Sequence, residues 1–248
     1  LPNRLDALLR LSATSVFGIP PAEWLALDNL TAAERWASSS RGTAADFVRY
    51  VLDQGWADAG RARVRAMPPL APQELAARMT AGDVDDFVAR PRWHGEVLET
   101  GAYARAAAHP LVAAARRAHG DALLARTFAR LVEVATLPGR LGDLLERITA
   151  TPADGAGEPA PGDGTGIGQA EAARGRLVHH VILDGDRIAS YRILAPTEWN
   201  FHPDGVLVRA LDALDALPRD TEIRQLAGLV VEAVDPCVGY DLTVSADA

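Results

Sequence analysis

The chain carries one cysteine, Cys237, in the run Asp235-Pro236-Cys237. A thiolate is the strongest soft metal ligand and nucleophile a protein offers, but one cysteine makes neither an internal disulfide nor a Cys-rich zinc site. The same residue type is often buried and inert, so ligand and packing roles both stand. The histidines give little support for a site. His179 and His180 are adjacent, and on a strand they point to opposite faces, so a structural role is expected for each. His94, His109, His119 and His202 are scattered. The acidic pairs Asp85-Asp86 and Asp212/Asp215 read as solvated faces. Gly162, Gly164, Gly166 and Gly168 do not lead into a helix and make no dinucleotide fingerprint. No nucleophile–base constellation is present, so the chain is not expected to be an enzyme.

Composition narrows the class further. The 248 residues carry a formal net charge of −8, with 48% hydrophobic and 23% charged residues, as in an ordinary globular protein. No run of Lys and Arg stands out in the sequence, so nucleic acid is not an expected partner. No apolar run approaches the ~20 residues that span a bilayer, and no signal-peptide pattern opens the chain. A cytoplasmic location is the expectation. The chain starts at Leu1 rather than Met, which leaves open what precedes it.

The elements that must position these residues fall into two regions. Residues 1–150 read as mainly helical. Leu5, Leu8, Leu9 and Val16 share a face, and Gly18-Ile19-Pro20-Pro21 interrupts it. Thr43 to Asp46 has the character of an N-cap, and Pro72 is placed to open a helix. Asp121 is a candidate cap for a long helix carrying Leu123, Leu124, Phe128, Leu131 and Val132, which Pro138-Gly139 should kink or end. Residues 151–165 are Gly/Pro-rich and almost without apolar side chains, so they read as a flexible loop and the best boundary. Beyond it, 177–183 and 188–194 are β-rich runs, and Asp184-Gly185-Asp186 should turn them into an antiparallel hairpin. Leu207, Leu211 and Leu214, then Ile223, Leu226 and Val230, return to helical spacing. The expected fold class is α+β and helix-rich, with 1–150 and 166–248 forming one compact unit.

Three motifs in order carry a family resemblance. Glu171-Ala172-Ala173-Arg174-Gly175 is similar to the Glu-Ala-Pro-Arg-Gly motif of [NiFe] hydrogenase large subunits, with Ala173 where that family has Pro. Pro196-Thr197-Glu198-Trp199-Asn200 resembles its Pro-Thr-Thr-Trp-Asn. Asp235-Pro236-Cys237 resembles the start of its closing Asp-Pro-Cys-x-x-Cys-x-x-His. A looser likeness covers Pro91 to Gly95, Glu99 to Arg105, and Arg126, Ala129-Arg130 and Glu133. Trp199-Asn200 separates the chain from the related quinone-site subunit of respiratory complex I, whose segment resembles Arg-Ala-Pro-Ser-Phe.

The resemblance implies a site and also its loss. In that family four cysteine thiolates hold nickel and iron, and two bridge the metals. Tyr240 stands at the second C-terminal cysteine position and Thr243 at the closing His, and the chain has no N-terminal cysteine pair. Hydrogen cleavage and nickel binding are therefore not expected. The groups around the iron's cyanide ligands fare better. Arg174, Pro196 and Thr197 match the positions that cradle the cyanides, and Cys237 matches a metal ligand. This pattern resembles the cysteine-depleted maturation proteins of the HupK/HoxV type. It implies a non-catalytic scaffold that binds an Fe(CN)2(CO) unit transiently. Its partners would be the hydrogenase large-subunit precursor and the cofactor-assembly proteins. A metal-free protein that mimics the large subunit to hold those partners is the alternative. At the level of single residues, Arg174 equally fits a loop anchor and Thr197 an ordinary turn residue.

Overall fold

A computed structural model describes residues 2–150, 164–214 and 223–245. The proposed loop falls mostly on 151–163, and Asp215 at 215; both lie outside the described residues.

Helices dominate the first region, as the apolar spacing requires. They are α1 (Pro2–Leu11), continued by a π-helical turn at Ser12–Phe17, α2 (Pro21–Leu25), α3 (Leu30–Ser39) and α4 (Thr43–Asp53). After the short strand β1 (Arg65–Ala66) come α5 (Pro72–Met79) and α6 (Val84–Ala89). Strand β2 (Leu98–Glu99) pairs in parallel with β1. Helices α7 (Ala102–Ala106), α8 (Pro110–His119) and the long α9 (Leu123–Ala150) follow. Trp24, Trp36, Phe17 and Phe128 anchor the core between these helices, and the Trp36 indole N–H donates to the Phe17 carbonyl at 2.8 Å.

The second region holds β3 (Thr165–Ala172), β4 (Gly175–Asp184) and β5 (Arg187–Leu194), then α10 (Pro196–Asn200), α11 (Val206–Asp212) and α12 (Ile223–Val234). The expected hairpin is present: β4 and β5 are antiparallel, and Asp184 faces Arg187 across a two-residue turn with Gly185 at φ 62°, the left-handed region such turns need. It is one part of a larger sheet. Residues 165–172 add a third antiparallel strand, in the order β3-β4-β5, so Thr165 belongs to a strand and not to the loop. One face of the sheet packs Val178 and Leu194 against Phe87, Leu75 and Trp199, while Ile188, Tyr191 and Ile193 on the other are exposed.

One expected helix stop and two expected caps are not taken up. Helix α9 runs through Pro138 without ending. A proline removes one backbone donor, and the helix beyond it is backed by α1, where Leu5 lies against Gly142. Asp121 is not the cap of α9. The first N–H groups of that helix are met by loop carbonyls, Leu123 by Ala59 at 3.0 Å and Leu124 by Ala57 at 3.2 Å. This satisfies donors that every helix start leaves open. Thr43 likewise does not cap α4; Gly42 takes that place, and the Thr43 hydroxyl donates to the Ser15 carbonyl.

Candidate functional site

The Arg174 turn is built by close backbone approach. Ala173 and Arg174 form the two-residue connection between β3 and β4, where Ala172 faces Gly175. Gly175 sits at φ 133°, and a Cβ there would lie 2.5 Å from Thr100 Cγ2. Gly101 sits at φ 108°, and its Cβ would lie 3.0 Å from the Arg174 carbonyl. Only glycine fits either place. The Thr100 hydroxyl then accepts from the Arg176 N–H at 2.9 Å.

Arg105 clamps the same turn from below. Its guanidinium donates to Ala173 O at 2.8 Å, Ala172 O at 3.2 Å and Glu171 at 2.9 Å. Glu133 on α9 holds the other side of the fork, with one bond of 2.8 Å. The carboxylates of Glu133 and Glu171 hold the Arg105 pKa above its ordinary value, Glu133 most strongly, against the opposing cost of burial.

The C-terminal motif meets this turn directly. Helix α12 ends at Val234, and Asp235 adopts φ 65°, the left-handed stop common after a helix. Pro236 prevents continuation. Arg174 Nε donates to the Pro236 carbonyl at 3.1 Å and lies 3.5 Å from Asp235 Oδ1. Arg130 also reaches Asp235, at 3.3 Å, and the Glu232 carbonyl. The loop-anchor role weighed for Arg174 is therefore real, and it uses only Nε. No partner engages its terminal nitrogens among the described residues, and the side chain is 43% exposed. Cys237 follows in a bend and is exposed, so it is not a buried packing residue.

Pro196 and Thr197 enter through a shared anchor. Pro196 opens α10 at its first position. The buried Asn200 amide accepts from Thr100 N at 2.9 Å and donates to Thr100 O at 3.1 Å. Thr100 thus ties α10 and the Arg174 turn to one strip of backbone. Trp199 is fully buried edge-on to Phe87, with ring centroids 6.2 Å apart. Trp199 and Asn200 thus serve the packing and the backbone of this strip. Thr197 is half-buried. Among the described residues no hydrogen bond engages its hydroxyl. Burial holds the neighbouring Glu198 carboxyl above its ordinary pKa.

A residue pair that the sequence reading placed only by likeness supports all of this. Arg126 and Glu99 form a bidentate ion pair of 2.8 and 2.9 Å, with side chains 2% and 3% exposed. Arg126 also donates to the carbonyls of Gly60, Ala62 and Asp121. Glu99 directly precedes Thr100, so the pair fixes the strip on which the site elements converge. The spacing of Glu99 and Arg126 carries no signal of their contact; only a fold does.

The histidines divide as expected. His179 meets the Tyr191 hydroxyl on the open face of the sheet. His180 is buried, and among the described residues neither ring nitrogen has a hydrogen-bond partner. Asp85 is largely solvated yet pairs with Arg192 at 2.7 Å.

Thr100 and Arg174 join these three motifs in one helix-rich α+β chain. The profile of the nickel-dependent hydrogenases matches residues 76–237, and the chain belongs to that family. The chain is 36% identical to the hydrogenase expression/formation protein HoxV of Cupriavidus necator, over 94% of this chain and 61% of that protein. It is 38% identical to HupK of Rhizobium leguminosarum bv. viciae, over 71% of this chain and 46% of that protein, and 32% identical to HupK of Azotobacter vinelandii, over 98% and 68%. It thus spans about half to two thirds of the length of these curated relatives. The Ni-Fe-Se hydrogenase of D. vulgaris Hildenborough aligns with 60% of this chain and 36% of its own, at a TM-score of 0.44 and 24% identity.

The residues present do not fit a nickel–iron pair. A binuclear centre needs several soft ligands in one place. This chain supplies one cysteine. Among the described residues, no group of three or more His, Cys, Asp or Glu could hold a metal ion. No helix among them is long and apolar enough to cross a membrane.

Proposed function

We propose that this chain is a non-catalytic scaffold in hydrogenase maturation that carries an Fe(CN)2(CO) unit as cargo on its way to the hydrogenase large subunit. The hydrogenase expression/formation names of its relatives support the maturation role. One observation carries the cargo reading. Arg174 is docked by Nε on the carbonyl of Pro236, the residue before Cys237, with its terminal N–H groups left over. A bound cyanide is a partly anionic acceptor, and a guanidinium donates strongly to such a group. In this reading Arg174 holds one cyanide, Thr197 and the Pro196 segment hold the other, and the Cys237 thiolate ligates the iron. The cargo's partners are the cofactor-assembly proteins on one side and the large-subunit precursor on the other. These steps take place in the cytoplasm.

A second reading is a metal-free mimic of the large subunit that holds the same partners. The exposure of Cys237 and the absence, among the described residues, of any group of three or more His, Cys, Asp or Glu that could hold a metal ion favour it. Iron content separates the two. The protein is purified from a host that expresses the maturation machinery, alongside Cys237→Ala, and partner co-purification is measured in both. Cargo carriage predicts iron in the native chain and its loss in the variant. Iron-free native protein that still retains its partners supports the mimic and overturns the cargo reading.

A further inference from the structure

A basic concavity forms on the side of the molecule built by the 61–63 segment and the end of α8. Its volume is about 390 Å³, and Arg61, Arg63, Arg116, Arg117, Gly120 and Asp121 line it. The arginines come from two segments more than fifty residues apart, which is why no basic run marks them in the sequence. In the extended segment 61–65, Ala62 and Val64 are buried while Arg61, Arg63 and Arg65 are exposed, the period-two alternation of a strand. Arg116 and Arg117 lie in the last turn of α8, where a cation favours the helix dipole. That accounts for two of the four and not for Arg61 and Arg63.

The platform is rigid. Ala62 N donates to the Asp121 carbonyl at 3.0 Å, and the buried Arg126 bridges the carbonyls of Gly60, Ala62 and Asp121. Gly120 has φ 81°, and a Cβ there would stand 2.8 Å from Arg61 Nε. Its absence lets Arg61 lie across the turn and donate to the His119 carbonyl at 3.1 Å.

Charge here is not balanced internally. Arg61 has Asp58 at 3.2 Å, and the Asp121 carboxylate is occupied by the Tyr103 hydroxyl. Arg63, Arg116 and Arg117 have no side-chain partner among the described residues. Arg209 adds a further cation by donating to the Arg63 carbonyl at 3.0 Å. Like charges held together on a preformed surface repel, and a multivalent anion relieves that repulsion.

We propose that this concavity is a docking site for a short acidic peptide segment of a partner protein. Arginine forks match carboxylates bidentately, and several separated forks favour a ligand with several carboxylates. Among the described residues no aromatic side chain lines the concavity, so there is no platform for a nucleobase. A chain of net charge −8 also repels a long polyanion beyond the patch, whereas each carboxylate of a short segment seated on the arginines lies within a Debye length, about 8 Å, of one of them.

The test is fluorescence anisotropy of the 248-residue chain with labelled hexaglutamate, with tripolyphosphate and a thymidine oligonucleotide as competitors. Saturable binding is expected, weakening at least tenfold from low to high salt. Arg63→Glu and the pair Arg116→Ala/Arg117→Ala should each lower affinity at least fivefold with an unchanged thermal melt, since these side chains are exposed and unpaired. Arg187→Glu, in the exposed β4–β5 hairpin, changes the net charge equally and should leave affinity unchanged. Absent hexaglutamate binding, equal loss in Arg187→Glu, or tighter binding of tripolyphosphate or the oligonucleotide would each overturn the proposal.

Discussion

Replacing Glu99 by Ala should be the most destabilising change that touches none of the proposed ligand groups. Glu99 and Arg126 are almost wholly enclosed. Burial works against the Arg126 charge, and the Glu99 carboxylate, together with Tyr103 and Asp121, more than offsets it, so the Arg126 pKa stays above its ordinary value. Removing the carboxylate strands a buried guanidinium, which costs about 3–5 kcal/mol. Three backbone carbonyls remain as acceptors and keep the cost from rising further. For a chain of this length each kcal/mol moves the melting temperature by about 2–4 °C, so a fall of about 6–20 °C is expected. Denaturant titration reads the same loss as a lower midpoint at constant slope. The double variant Glu99→Leu/Arg126→Met removes both charges and should recover most of the loss. A Glu99→Ala protein within about 1 kcal/mol of the native one would refute the reasoning. So would a double variant less stable than the single.

The site's other supports give further predictions. Asn200→Ala leaves the buried N–H and C=O of Thr100 without partners, at about 1–3 kcal/mol each, and should loosen the Arg174 turn, seen as faster amide exchange at Arg176. The pKa of His180 is lowered by burial and then by Arg192, and that of His202 by burial and then mainly by Arg92. A histidine pKa lowered by folding means the unfolded chain binds more protons below about pH 6.5. Stability is therefore full above that pH and falls as the pH drops through 6.5 toward the folded values. His180→Leu also removes two unpartnered ring nitrogens, so it should keep or raise stability at pH 7 and flatten the loss on acidification, measured by urea midpoints from pH 7.5 to 5.

The helices and the hairpin were legible because apolar spacing and turn chemistry act locally. Strand β3 was not. Gly166, Gly168 and two further small residues give it little β-propensity, and its pairing with β4 supplies what its side chains do not. Asp121 has the character of a cap, but its carboxylate is taken by Tyr103 and its helix is capped by the carbonyls of Ala57 and Ala59, which are distant in sequence. The motif residues Arg174 and Cys237 were visible as types at matching positions. The docking of Arg174 on Pro236 rests on a turn held by Arg105 and Thr100, whose contacts with 171–176 join residues more than sixty positions apart. The arginine concavity was missed for the same reason, since only the fold brings Arg61 and Arg63 beside Arg116 and Arg117.

Infrared spectroscopy of the chain purified from a host expressing the maturation proteins tests the central claim most directly. Cargo held by Arg174 and Cys237 predicts cyanide and carbonyl stretching bands in the native protein. Arg174→Met should shift the cyanide bands, because a donor to a cyanide nitrogen is lost, and Cys237→Ala should abolish all of them. A native protein without these bands, or bands that both variants leave unmoved, would contradict the account.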